Sequence, residues 1–352
     1  MSELHLPLTS ERIELDDDYD QFLAVVEERG WSDGLPMVPP TPERVSRFVA
    51  AANRAPSDVL GQLPPLWSKV TVEKIAVNAV MAGCLAEHMP VVVAAIEAVI
   101  QEPFNLNGVQ ATTHPCAVFV LVHGPITTRL GMNWGYGSLG PGNRANAAIG
   151  RAVRLVLMNV GGAVPGTLDR STLGSPAKYT YCAAENEIDS PWPPLRIDLG
   201  FTREDSVVTV VAGEPPHNIN DHGSADAVGL LRTITYAMAT TGHNNHAQQG
   251  DVFVLFGPEH ARIIAAAGFS RVDAQRYLFE NVRVPRENFG QGQLAFIESH
   301  LNPEQKQRAH RGLPIAASPE DIQILVMGGD GRHSAWVPTF GSTRSVSRRL
   351  SL

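Results

Sequence analysis

The chain has 352 residues, 43% apolar and 18% charged, with a formal net charge of −8, enough for one large or two medium domains with a sizeable core. That acidic balance supplies no basic field for nucleic acid, and no apolar run reaches the roughly 18 residues of a membrane span. Cys84, Cys116 and Cys182 are widely separated with no CxxC, which speaks against a disulfide framework or a zinc knuckle and for three small buried hydrophobes.

Residues 1–20 are polar and acidic, unlike a signal peptide, so a cytoplasmic protein is expected. A short amphipathic helix over 21–29 stops at Gly30, and the proline-rich stretch Trp31 to Pro40 is expected to be an ordered arm. Thr41-Pro42-Glu43 is an N-cap, a proline at the first helical position and a first-turn acid, which predicts a helix to about Asn53. A second helix is predicted from Thr71 through Met81, ended by Gly83, and a third from Pro90 to Ile100 is apolar almost all round and so central. Cys84, Glu87 and His88 lie at the joint between those two helices and read as a turn with a buried thiol.

The densest unusual chemistry runs from Gly108 to Gly162. A strand is predicted over Cys116 to Val122, then a glycine-rich loop from Gly131 to Gly142, then Asn143 as N-cap of a helix Arg144 to Asn159. Such a loop and helix start suit a carboxylate or phosphate, with Arg144, Asn146 and Arg151 as side-chain donors. The lysine of a Walker loop and the strand of a Rossmann fingerprint are missing, so no nucleotide cofactor is expected.

Val164 to Trp192 shows no periodicity, yet Tyr179, Tyr181, Cys182 and Trp192 prefer burial, so it reads as an ordered loop over a site that could deliver Lys178, Glu185, Asn186 and Glu187. Further strands are predicted over Ser206 to Val211, Val252 to Phe256 and Ile322 to Met327, with helices from Ser224 to about Thr240 and from Ser270 to Glu280. VFVLVHGP, VVTVVAGEP, VFVLFGPEH and IQILVMGGDG end in similar glycine punctuation, which suggests an α/β fold of repeated strand-loop-helix units around a mixed sheet, with an N-terminal helical segment. The expected division is an N-terminal helix and arm over 1–40, a helical subdomain over 41–105 and an α/β ligand-binding region over 106–348. Ligands of such sheets bind beyond the carboxyl ends of the strands, where His123, Glu214, His217, Glu259, His260, Asp330 and His333 fall.

The stretches TVEKIAVNAVMAGCLAEHMPVV, GVQATTHP, RANAAIGRAVRLVLMNVGG, GSPAKYTYCAAENE and GPEHARIIAAAGFS together resemble a bacterial family associated with UGSC-motif selenoproteins and cysteine proteins, in its larger companion form. The resemblance spans about Asp33 to Arg348. No UGSC or CGSC sequence occurs here, so the resemblance implies either a small thiol or selenol partner protein or an enzyme that uses the scaffold alone. It assigns no catalytic residue.

From the residues themselves, the expected function is acid-base chemistry of a lyase, hydratase or hydrolase on a small anionic metabolite, in a homo-oligomer. The alternative is a half-site subunit that partners a thiol or selenol protein. The catalytic candidates are Glu259, His260, His114, Cys116, Lys178 and Glu185, and the substrate-binding candidates are Arg144, Asn146, Asn186 and His333. His114, Cys116, Glu259 and His260 are expected in one cavity. A divalent metal is open as a cofactor, its weakly signalled ligands being His217, His222, His243 and His246.

Overall fold

A computed structural model describes residues 7–351; residues 1–6 of the expected N-terminal segment lie outside them. After a hairpin of β1 (Val59–Leu63) and β2 (Ser68–Thr71), the strands are β3 (Ala117–His123), β4 (Cys182–Ala184), β5 (Val207–Gly213), β6 (His217–Asn220), β7 (Val252–Phe256), β8 (Ile322–Val326), β9 (His333–Val337) and β10 (Val346–Arg349). They form two mixed four-stranded sheets, in the orders β10-β5-β3-β4 and β6-β9-β7-β8. The fold is α/β, with two sheets where the sequence suggested one.

Alternation along each strand divides the core into layers. Phe119, Leu121 and Val211 of the first sheet meet Phe253, Leu255, Leu325 and Val337 of the second in one cluster. On the outer face of the first sheet, Val118, Val120, Val122, Val208 and Val210 pack under the helices Val72–Met81, Met89–Val99 and Arg144–Asn159. On the outer face of the second, Val252, Val254, Ile322 and Ile324 pack under Ala227–Met238, Pro258–Ala266 and Arg271–Asn281. The order is therefore helices, sheet, sheet, helices. Both faces of β3 are covered, so all its residues are buried, and each such aliphatic or aromatic side chain contributes roughly 1.5–3 kcal/mol of burial.

Two expectations change. The boundary near residue 105 runs through a continuous core, because helices from 41–105 share one apolar cluster with β3, β5 and Arg144–Asn159. The repeated strand-loop-helix unit fails at β5, which is antiparallel to β3 and is followed by a strand, so its glycine-punctuated end lies at the opposite end of the sheet from that of β3. What the two sheets share is direction. Each holds a parallel pair, β3/β4 or β7/β8, then an antiparallel strand, then an antiparallel edge. β6 follows β5 in the chain but completes the second sheet, and β10 follows β9 but completes the first.

Candidate functional site

The carboxyl ends of β3, β4, β7 and β8 lie together, since Asn186 N–H donates to the Val326 carbonyl at 2.8 Å. At the other end, Glu214 N–H donates to Pro338. His114 and Cys116 precede β3, whereas Glu259 and His260 follow β7, so the two pairs stand at opposite ends of the strands and form no common cavity.

Most of the nominated groups already have work within the protein. His114 Nδ1 accepts the Cys116 N–H, which leaves the proton on Nε2 to donate to Glu214 at 2.9 Å. Burial pushes the Cys116 thiol up to about 12, despite Lys178 nearby, and the Cys84 thiol to about 12 as well. A thiol so protonated is a poor nucleophile. Lys178 joins Arg154 on Asp169, at 2.7 and 2.9 Å. His260 is fully buried between the Ser334 hydroxyl and the Asp221 carbonyl. Glu259 is a half-buried acid in the first turn of Pro258–Ala266.

The expected anion site is likewise committed elsewhere. Asn143 caps the helix through Asn146 N–H, as its sequence position implies. The Asn146 side chain is taken up by the backbone of Asn133 and Ser138, which shapes the glycine-rich loop. Arg144 is exposed and donates to the Gly83 carbonyl, and Arg151 grips Asp33 with two hydrogen bonds at 2.7 and 2.8 Å. Asn186 donates to Asp189 and Gly328, tying the two sheets together.

His123, Glu185 and Glu187 bring ligand atoms within 4.8 Å of one another. Their atoms are satisfied by protein, however. His123 sits between Glu185 at 2.7 Å and the Thr209 hydroxyl at 3.1 Å, Glu185 also accepts Leu195 N–H, and Glu187 holds Arg196 and Gly124 N–H. This donor set reads as a buried hydrogen-bonded network rather than a ligand cradle.

The arrangement that is not self-satisfied surrounds the short helix Asn245–Gln248, just before β7. Two clefts flank it and share Ala247 and Gln248 as walls. The larger, about 480 Å³, is lined by Gln249, His300, Gln305, Ser342, Thr343 and Arg344 among others. The smaller, about 320 Å³, is lined by Thr241, His243, Asn244, Gln293 and Phe296. His243 is 7% exposed, and neither ring nitrogen meets a protein hydrogen-bond partner. Gln249 Oε1 and Trp336 Nε1 are buried and unpartnered as well. Buried polar groups are paired in the great majority of cases, so three residues with unpartnered buried polar atoms around one turn mark it out.

Packing explains the protonation state of this turn. His243 stacks on His246 at 4.2 Å, with Trp336 edge-on at 5.1 Å. Burial first, then the neighbouring His246, pushes His243 well below the ordinary imidazole range, and burial lowers His246 too. His246 Nε2 lies 2.6 Å from the Thr240 carbonyl and Nδ1 lies 3.2 Å from the Pro314 carbonyl, so both ring nitrogens face acceptors and the shorter contact favours the proton on Nε2. Burial thus favours the neutral form of both rings. Gln249 closes the turn at φ 55°, ψ −129°, a backbone region suited to glycine and costly for a side chain. Gly341 makes this packing possible, since a Cβ there would come within 2.6 Å of the Gln248 side chain.

His243 and His246 were sequence candidates for a metal; the structure gives them a stacked, neutral pair beside a cleft. Gln248, Gln249, Thr343 and Arg344 carried no sequence signal, because they gather here from segments distant in the chain. His217 is exposed on β6, and His222 lies near His333 at the edge of the second sheet. Compared with family models and with curated proteins, the chain matches none. Among the described residues no single helix is long and apolar enough to cross a membrane.

Proposed function

We propose that this protein is an enzyme of the acid-base type, a lyase, hydratase or hydrolase, whose small-molecule substrate occupies the clefts beside Asn245–Gln248. The observation that carries this reading is His243, buried, neutral and unpartnered at the wall of a cleft. A neutral imidazole accepts a proton at one nitrogen and donates at the other, and its lowered pKa means that an accepted proton is readily returned. The substrate class shifts from the anion expected at first. The smaller cleft has only neutral side chains on its walls, and Arg344 in the larger is held by Asp251 and Asp321. An uncharged hydroxyl- or amide-bearing group fits these walls better than a carboxylate or phosphate.

The test is a thermal-shift screen of uncharged polar metabolites, with carboxylates and phosphates as the comparison set, run on the wild type and on His243→Phe. Leaving a buried polar group unpaired costs about 1–3 kcal/mol, so the phenylalanine variant is expected to melt no lower than the wild type while losing the response to any hit. A hit that stabilises both proteins equally would move the site away from His243.

A further inference from the structure

The second sheet carries a pair of histidines that the clefts do not involve. His333 opens β9, and His222 lies just past the end of β6, the strand paired with it. Their Nε2 atoms stand 3.4 Å apart, with the rings at 80° and 5.2 Å between centroids. Hydrogen bonds between nitrogen and its acceptor centre on about 2.9–3.0 Å, so this contact is long for one. It matches a different geometry. Two nitrogens each about 2.0–2.1 Å from one ion, at a tetrahedral angle, lie roughly 3.3–3.4 Å apart.

The surroundings prepare both rings. His333 Nδ1 lies 3.1 Å from Asn218 Oδ1, which can only accept, so the proton sits on Nδ1 and the Nε2 lone pair is free. His222 stands between residues whose backbone is fixed. Asp221 N–H donates to the Arg332 carbonyl, and the Asp221 carboxylate receives Gly223 N–H, Ser224 N–H and the hydroxyls of Ser224 and Thr233. Both imidazoles are exposed, which leaves room for water to complete the coordination.

We infer that His222 and His333 form a two-histidine site for a divalent transition metal, with Zn²⁺, Ni²⁺ or Cu²⁺ as the fitting class. Nitrogen donors suit these ions, whereas Mg²⁺ and Ca²⁺ require oxygen ligands. The remaining positions belong to water or to a ligand brought from solution. Of the earlier metal candidates, His222 stays, joined by His333, while His217, His243 and His246 take no part.

The experiment is calorimetric titration of the tag-free, full-length protein with Zn²⁺ at pH 7.5, and copper spin resonance with Cu²⁺ as the reporter of nitrogen ligands. The expected result is one saturable equivalent, weakened at least about tenfold in His222→Gln and in His333→Gln. Asn218→Ala, which removes only the orienting acceptor, is expected to weaken binding about tenfold, the low end for loss of such a partner. Because both rings are exposed, the variants should keep the wild-type melting temperature without metal. Equal Zn²⁺ affinity in wild type and both histidine variants, no saturable binding up to about 1 mM, or a copper signal unchanged in the double variant would each overturn the assignment.

Discussion

His88 links packing to pH at the scale of one side chain. Its ring is buried at the start of Met89–Val99, and its Nδ1 accepts the Leu85 N–H. Burial, and secondarily the Arg144 cation, lower its pKa to about 4 from an ordinary 6.5. The folded form therefore binds fewer protons than the unfolded chain between those values, and stability falls as pH drops from about 6.5 toward 4. Buried His243, His246 and His260 shift the same way and add to the slope. Melting temperature is expected to be flat from pH 8 to 7 and to decline below 6.5. In His88→Asn, whose Oδ1 can accept the same N–H, the decline should be shallower; an identical decline would remove His88 from the account. Neither the shift nor the partner could be read from the sequence, where Cys84, Glu87 and His88 announce only a turn. The same holds for Arg144 and Arg151: their place on the helix was legible, but the Gly83 carbonyl and Asp33 that claim them are set by folding.

Among the elements, legibility follows how locally each is determined. Thr41, Thr71, Asn143 and Ser270 each cap the helix expected after them, because a cap is a contact within three residues. β4, β6, β9 and β10 are only three to five residues long and owe their conformation to distant partners, so their own sequence carries little signal. β4 lies within the stretch 164–192 expected to be irregular. The N-terminal segment, with the expected ordered arm Trp31 to Pro40 at its end, is a case where a weak local pattern is secured from afar. Glu73 receives Thr9 and Ser10 N–H, and Arg151 holds Asp33 together with the carbonyls of Leu35 and Pro36. Asp33 has 4% side-chain exposure in this pair, and a charge-assisted hydrogen bond is worth about 1.5–3 kcal/mol. Arg151→Met, which keeps the apolar stem, should therefore open the segment between Tyr19 and Pro40 to limited chymotrypsin digestion roughly tenfold faster while the remainder stays resistant. Digestion at the wild-type rate would show that the arm is held by its apolar contacts instead.

For the whole molecule, the exchanged edge strands decide how it comes apart. A chain of this length with two sheets, each under its own helices, could behave as two units with separate transitions. Here each sheet lacks an edge without the other half of the chain. β10, from the C-terminus, pairs with β5 across Val346 to Arg349, and β6 pairs with β9 across His217 to Asn220. The inner faces share one apolar cluster in which Phe119 stacks on Tyr181 at 3.9 Å, and Tyr181 reaches the Glu214 carbonyl. Melting one sheet would strip an edge from the other and expose their common face, so the separate melting of either is penalised twice. Urea unfolding followed by hydrogen exchange is expected to show β3 and β7 losing protection at one denaturant concentration. Ending the chain at Thr343 should remove protection from β5 first, as its edge is bared, and then lower the single midpoint of the whole. Two well-separated transitions in the intact protein, with β7 retained after β3 has opened, would mean that the shared face contributes little and that the exchanged strands are merely appended to sheets stable without them.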